Sequence, residues 1–571
     1  MSNEKSNSPK GKEPARTPGK PPGTGEPIVV SSKRPPLFRR LDWIVAAVTT
    51  LCVFIGYYYT LAPDLTLEDS GELAVASYYA GVPHPPGYPV WTIYTWLFTL
   101  IPISNIAWRV ALSSAVAGAF ACGLVALAVS RGSSMLLEGI ADFKNLERRV
   151  EGWICVVAGF LAGMLMGFNG FMWSQAVIVE VYTLSVLSFM AVLVCLLRWI
   201  YAPDQKRYLY WAWFLFGICF TNHQTLIVAT MGIQILMLAA RPKLGRDWFL
   251  LNSIVYIIGL LMKSKGSLTA FNDNLPLFMV YNFVGLGSLI VCGWVTMKTQ
   301  ELATEWKDVL ATGSLWVAGA AFYFYMPIAS MTNPPLNWGY PRTVEGFFHA
   351  LTRGQYDKTS PTSDLWRFVD QIRMYFEGAA DEFSFVFLLI GLIPFLFFPR
   401  MQKRERAWLT GLTAIYLFLA VLLLILLNPS TDKQSREQAR VFFAASHIVV
   451  AMAIGYGVTL IGGVAATQYH VYRRLFLWAG AAACGIELYY LFKTLDETQF
   501  KILRFAAWFS FCLALAFTGS ILAFRNRSPS YFLLVLFAIA PIRSITSNWS
   551  DNEQRGHLFG YWFGHDMFTP P

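Results

Sequence analysis

Residues 42–62 read DWIVAAVTTLCVFIGYYYTLA. The chain then breaks into Pro63-Asp64-Leu65-Thr66-Leu67-Glu68-Asp69-Ser70-Gly71-Glu72 and runs on to Gly81-Val82-Pro83-His84-Pro85-Pro86-Gly87-Tyr88-Pro89. An apolar run of about 20 residues is the length that crosses a bilayer as a helix. Four carboxylates and a histidine directly beside such a run are costly to hold near lipid, so they are read as functional. The pair of features predicts a membrane helix followed by an active site at the outer membrane surface.

The rest of the chain agrees with the first run. Of its 571 residues, 55% are hydrophobic and only 14% charged, against roughly 25% charged in soluble proteins. Apolar runs of roughly 16–25 residues recur, too long for barrel strands. The fold class expected is an all-α polytopic membrane protein. The net charge of +10 does not point to nucleic acid, because the basic excess lies in a tail and in short loops, where it sets topology. The eight cysteines all fall in apolar segments without a CxxC pair and read as small buried hydrophobes. There is no Walker loop, no dinucleotide fingerprint and no convincing metal spacing.

Residues 1–40 read as a disordered basic cytoplasmic tail, rich in Pro, Gly, Ser, Lys and Glu. Arg39-Arg40, the 400–406 loop, Arg473-Arg474 and Arg525-Asn526-Arg527 are placed inside by the positive-inside rule. Alternation then fails by one crossing, and Tyr88 to Ile103, short and opened by prolines, is assigned as an interfacial helix. About fifteen spans remain, with the N-terminus inside and the C-terminus outside. A transmembrane domain over 41–547 would carry external loops at 62–108 and 332–383. A further external loop is Asn428 to Arg440, and 548–571 forms an extracytoplasmic end segment.

In the first loop, Asp69 and Glu72 share a helix face at i, i+3. Clustered carboxylates at a low-dielectric boundary hold protons more tightly, the tuning that lets an acid group take a proton from a hydroxyl. Sugar transfer from a lipid phosphate to an alcohol needs such a base, and cations for the departing phosphate. Arg109 closes the same loop, and Arg342, Arg353, Arg436 and Arg440 lie on the same predicted side; the Arg fork suits phosphate. His84, Glu180, His223 and His447 are the remaining polar candidates for a substrate pocket. Blander readings stand beside these: Asp69 as a helix cap or a solvated loop carboxylate, His84 as a turn residue, Arg109 as an interfacial anchor, Glu180 paired with Arg109 or His223, and His447 as packing. A divalent ion shared by Asp69 and Glu72 stays open; no cofactor is expected. Rival functions are a multi-span transporter or lipid flippase, and a scaffold. The absence of an internal repeat and the gathering of polar groups at one surface favour an enzyme.

Asp69-Ser70-Gly71-Glu72 followed by His84-Pro85-Pro86-Gly87 resembles the first luminal loop of the transmembrane protein 260 group, glycosyltransferase family 117. Trp173-Ser174-Gln175, Glu180, Tyr182, Asn222-His223 and the stretch from Asn548 to Asp566 are similar to its bacterial branch, and a more distant likeness is to protein O-mannosyltransferases. The resemblance implies a GT-C glycosyltransferase fold with roughly 13–15 transmembrane helices, a polyprenyl-phosphate-linked sugar as donor, and a protein or glycan acceptor outside the cytoplasm, in a bacterial inner membrane. It implies that Asp69 is the catalytic base with Glu72 beside it, that His84 shapes the pocket, and that Arg109 faces the lipid phosphate. Relatives commonly continue into a soluble region where this chain stops.

Overall fold

The computed structural model describes residues 36–268, 271–272, 274–356 and 360–569; most of the expected N-terminal tail lies outside them. Among the described residues, regular structure is helical, apart from one isolated parallel bridge between Val82 and Asn337. The first helices are α1 Arg40–Thr60, α2 Ser70–Tyr78, α3 Pro89–Thr99, α4 Ile106–Gly139, α5 Arg148–Gly167, α6 Gly170–Ala176, α7 Tyr182–Tyr201 and α8 Lys206–Asn222. Twelve helices of the described residues are long and apolar enough to cross a membrane, or thirteen if a bent pair counts as one span. The chain is an all-α integral membrane protein.

Roughly 13–15 crossings were expected; thirteen meets the lower end of that range, and helix length accounts for the runs that fall short. The run 209–222 lies in α8, which with 17 residues is shorter than the membrane-crossing helices, and 224–240 is a shorter apolar helix. The run 384–399 belongs to the bent pair, Leu365–Phe383 and Phe385–Arg400, which meet at 102°. The α3 segment, expected at the interface, has 11 residues and rises only about 16 Å. The external loops are themselves folded. The first contains α2 and α3, and the second contains Val344–Leu351 and the amphipathic Leu365–Phe383.

Burial separates a core from a rim. Helix α4 and the helix ending at Thr467 are 83% buried over their most apolar stretch, whereas Leu275–Thr299 is 17% buried and shows Phe283 and Ile290 outward. In lipid, apolar faces gain little from meeting each other, so tight association depends on small residues that let backbones approach. Gly159, Gly163 and Gly167 form such a stripe on α5. A Cβ at Gly159 would lie 2.7 Å from the Ala126 carbonyl, and one at Gly163 would lie 2.8 Å from that of Cys122. Helix α6 anchors the start of the first loop: the Ala62 N–H donates to the Val177 carbonyl at 2.9 Å, and Trp173 Nε1 to the Thr60 hydroxyl at 2.9 Å.

Candidate active site

The first loop folds back on itself through two short helices. Asp69 stands just before α2, and its side chain caps nothing: the backbone carbonyl, not the carboxylate, receives the Leu73 N–H. The reading of Asp69 as a side-chain helix cap is therefore set aside. Its carboxylate is 57% exposed and faces a cavity. Glu68, immediately before it, has φ 69°, a left-handed conformation that costs a non-glycine residue of order 1 kcal/mol. Both carboxylates line the cavity.

Glu72, in the first turn of α2, points toward His84. It accepts the His84 backbone N–H at 2.6 Å and lies 3.2 Å from Nδ1 through either oxygen. The His84-Pro85-Pro86-Gly87 turn closes through Gly87 N–H to the His84 carbonyl at 2.9 Å, with Gly87 at φ 85°. The turn sets Tyr88 beneath the imidazole, with its hydroxyl 3.1 Å from Nε2. Burial pushes the Tyr88 phenol far above its usual range, so it stays protonated. Nε2 sits 4.0 Å from an Asp69 oxygen, beyond hydrogen-bond length. One ligand atom from each of Asp69, Glu72 and His84 lies within 4.8 Å of the others, a spacing that could hold a divalent ion, although Glu72 and His84 are already engaged with each other.

The cavity has a volume of about 840 Å³ and is walled by segments far apart in sequence. Opposite the first loop stands Glu180, in the unwound link between α6 and α7. Its carbonyl receives Trp91 Nε1 and the Ser114 hydroxyl, both at 3.1 Å, and its own carboxylate accepts the Val181 N–H at 3.1 Å. Burial foremost, with the nearby charges of Glu68 and Asp69, pushes this acid up to about 8. The pairings expected for it, with Arg109 or His223, do not form. His223 follows α8, with Nδ1 2.5 Å from the Thr225 hydroxyl and its ring against Tyr182 and Phe442. Burial, reinforced by Arg353, lowers it to about 3, so it is a neutral wall of the cavity.

Of the five arginines read on the side of the donor phosphate, Arg353 and Arg440 line the cavity. Arg109 instead spends its guanidinium on carbonyls of the turn after α3: Thr99 at 2.9 Å, Ile103 at 2.6 Å and Ser104 at 2.8 Å. Cations suit such unsatisfied carbonyls at a helix C-terminus. Arg342 binds the Asn333 side chain and lies over Tyr340. Arg436 is exposed on the helix Lys433–Arg440, away from the cavity lining. His447 is buried outside the cavity, stacked on Phe171 at 4.5 Å, with Nδ1 beside the Asn169 amide. The second cavity cation is Arg353, which follows Val344–Leu351 at φ 58° and lies over the Tyr356 ring at 4.5 Å. Gln175, Tyr88, Asn548, Asp551 and Asn552 complete the walls; they fall in stretches that carried the family resemblance or the first loop, but the sequence reading gave them no place in the site. The polar turn of residues at the end of the last apolar run was the available signal for Asn548 to Asn552.

Residues 69–245, from the Asp69 carboxylate through the His84 turn to Glu180 and His223, match the family model described as the protein O-mannosyl-transferase TMEM260 N-terminal domain. The resemblance read from the first loop therefore holds for this segment. A mouse protein named protein O-mannosyl-transferase TMEM260 is 34% identical over 133 residues, 22% of this chain and 18% of the relative. A Dictyostelium discoideum protein of the same name is 26% identical over 228 residues, 37% of this chain and 25% of the relative. The matched region thus spans a quarter or less of the length of these relatives. Among solved structures, ArnT from Cupriavidus metallidurans bound to undecaprenyl phosphate is 13% identical with a TM-score of 0.43, covering 91% of this chain and 78% of that one. Its apo form aligns at 12% identity and the same TM-score, covering 90% and 76%.

Proposed function

We propose that this chain is an integral membrane glycosyltransferase of the GT-C type. It moves a hexose, mannose by the names of its relatives, from a polyprenyl-phosphate donor to a hydroxyl of a protein or glycan on the extracytoplasmic side, in a bacterial inner membrane. The observation that carries the reading is an uncapped, solvent-reaching Asp69 carboxylate in a polar cavity that also holds two arginines, Arg353 and Arg440. The acceptor hydroxyl gives its proton to Asp69 while its oxygen bonds to the anomeric carbon. The bond from that carbon to the phosphate oxygen breaks, and its electron pair leaves with the polyprenyl phosphate. Arg353 and Arg440 offset the charge that builds on the phosphate. Attack from the face opposite the phosphate inverts the anomeric centre.

Glu72 acts by holding His84, and with it the turn facing Asp69. Glu180, kept neutral below about pH 8, donates a hydrogen bond to the sugar. No metal is required in this scheme. Purified protein is tested for sugar release from a synthetic polyprenyl-phosphate mannose, wild type against Asp69→Asn. Turnover by the wild type that is lost in the variant supports the assignment; equal turnover by both sinks Asp69 as the base.

A further inference from the structure

Arg440 is held by two carboxylates of different character. Glu382 is 5% exposed and Glu437 is 50% exposed. Glu382 reaches Arg440 Nη2 at 3.3 Å and also accepts the Gly170 N–H at the start of α6 and the Asn548 amide at 3.0 Å. Three separate segments thus converge on one buried carboxylate. Gly170 leaves room for this pair, since a Cβ there would lie 2.7 Å from a Glu382 oxygen and 3.3 Å from Arg440 Nη2 and would push both side chains aside. The guanidinium rests over the Phe171 ring at 4.8 Å, which fixes its plane. Glu437, by contrast, sits one turn before Arg440 on the same short helix, takes Nη1 at 2.5 Å, and lines the cavity itself.

Resting on the donor reading above, we propose that Glu437 is a stand-in for the donor phosphate: it pairs with Arg440 Nη1 and is displaced when the phosphate binds, while Glu382 stays in place as the fixed counter-ion that positions Arg440. An exposed i, i+3 pair shifts an equilibrium only about twofold, so its release is cheap. A phosphate oxygen offers the same guanidinium a stronger charge-assisted bond. Removing the buried partner instead would free Arg440 to leave its plane over Phe171.

The test measures binding of a short-chain polyprenyl monophosphate and, separately, of inorganic phosphate to the full-length protein in detergent. Glu437→Ala and Glu437→Gln should both bind the lipid phosphate about three- to tenfold tighter than wild type, because a like charge has left the site. The same gain should appear with inorganic phosphate, which locates the competition at the phosphate itself. Glu382→Gln should weaken binding about tenfold, and Gly170→Ala, which crowds the same pair, should weaken it in the same direction if Glu382→Gln does not fold. Unchanged or weaker binding by the Glu437 variants overturns the proposal, as does a gain confined to the lipid probe. Failure of the donor reading looks different: wild type and Arg440→Ala would then bind the lipid phosphate equally poorly.

Discussion

The Glu72 carboxylate grips His84 at two points, its backbone N–H at 2.6 Å and its ring Nδ1 at 3.2 Å. One side chain thereby ties the first turn of α2 to the proline turn that follows it. Glu72→Gln can keep one of these bonds and loses the charge that strengthens both. It should lower thermal stability by about 1–3 kcal/mol and slow turnover, with donor affinity little changed. Thermal unfolding and kinetics on the same preparation check this; a variant that weakens only donor binding would assign Glu72 to the phosphate instead.

Asp69→Asn keeps the shape of the site and cannot accept a proton. Loss of a general base costs about 100- to 10,000-fold in rate, so turnover should fall by that much while polyprenyl phosphate still binds. Binding and turnover measured side by side separate a base from a residue that merely holds the donor.

The arginines should divide by location. Arg353→Ala removes charged hydrogen bonds to a phosphate, worth about 1.5–3 kcal/mol, or roughly ten- to a hundredfold in affinity. Arg109→Ala leaves three turn carbonyls without their donor and should lower the melting temperature without moving the donor affinity. The reverse pattern would restore Arg109 to the lipid phosphate.

Glu180 makes stability depend on pH. Its folded value of about 8 stands above the ordinary 4.5, so between those values the unfolded chain binds fewer protons than the folded one. Stability therefore falls as pH rises through this window and levels off above about 8. Glu180→Gln does not titrate there, so its melting temperature should gain on the wild type from pH 5 to pH 8 and then run parallel. Parallel curves throughout would mean that Glu180 is ionised in the fold.

Turnover should survive EDTA, because Glu72 and His84 are committed to each other. Activity lost to the chelator and restored by a divalent ion would instead turn Asp69, Glu72 and His84 into a ligand set.

The helical membrane architecture and the importance of the first loop were legible because both depend on local contrast. Long apolar runs can hardly be anything but helices in lipid, and carboxylates beside one are conspicuous. The choice among arginines was not legible. Arg109 and Arg353 look alike as letters, and only the turn carbonyls near Ser104 and the ring of Tyr356 decide where each guanidinium goes. His447 likewise follows a basic segment in sequence yet packs behind Phe171. The acid that burial tunes most clearly is Glu180, in an unwound link, and not a member of the clustered carboxylates on α2. Arg353, Arg440 and the polar stretch from Asn548 to Asn552 were visible as candidates on one side of the membrane, but that they wall a single cavity with Asp69 is a matter of tertiary packing.

The parallel bridge between Val82 and Asn337 has a consequence for biogenesis. Val82 donates its N–H to Leu336 and accepts that of Trp338, both at 3.0 Å, so the loop that carries Asp69 is aligned by residues synthesised long after it. Asn548 and Asn552 arrive later still. A nascent chain part-way through insertion therefore carries its acidic loop without a finished chamber around it. It would be inert toward any lipid-linked sugar in the surrounding leaflet, and competence would begin only when the late helices have been threaded into place.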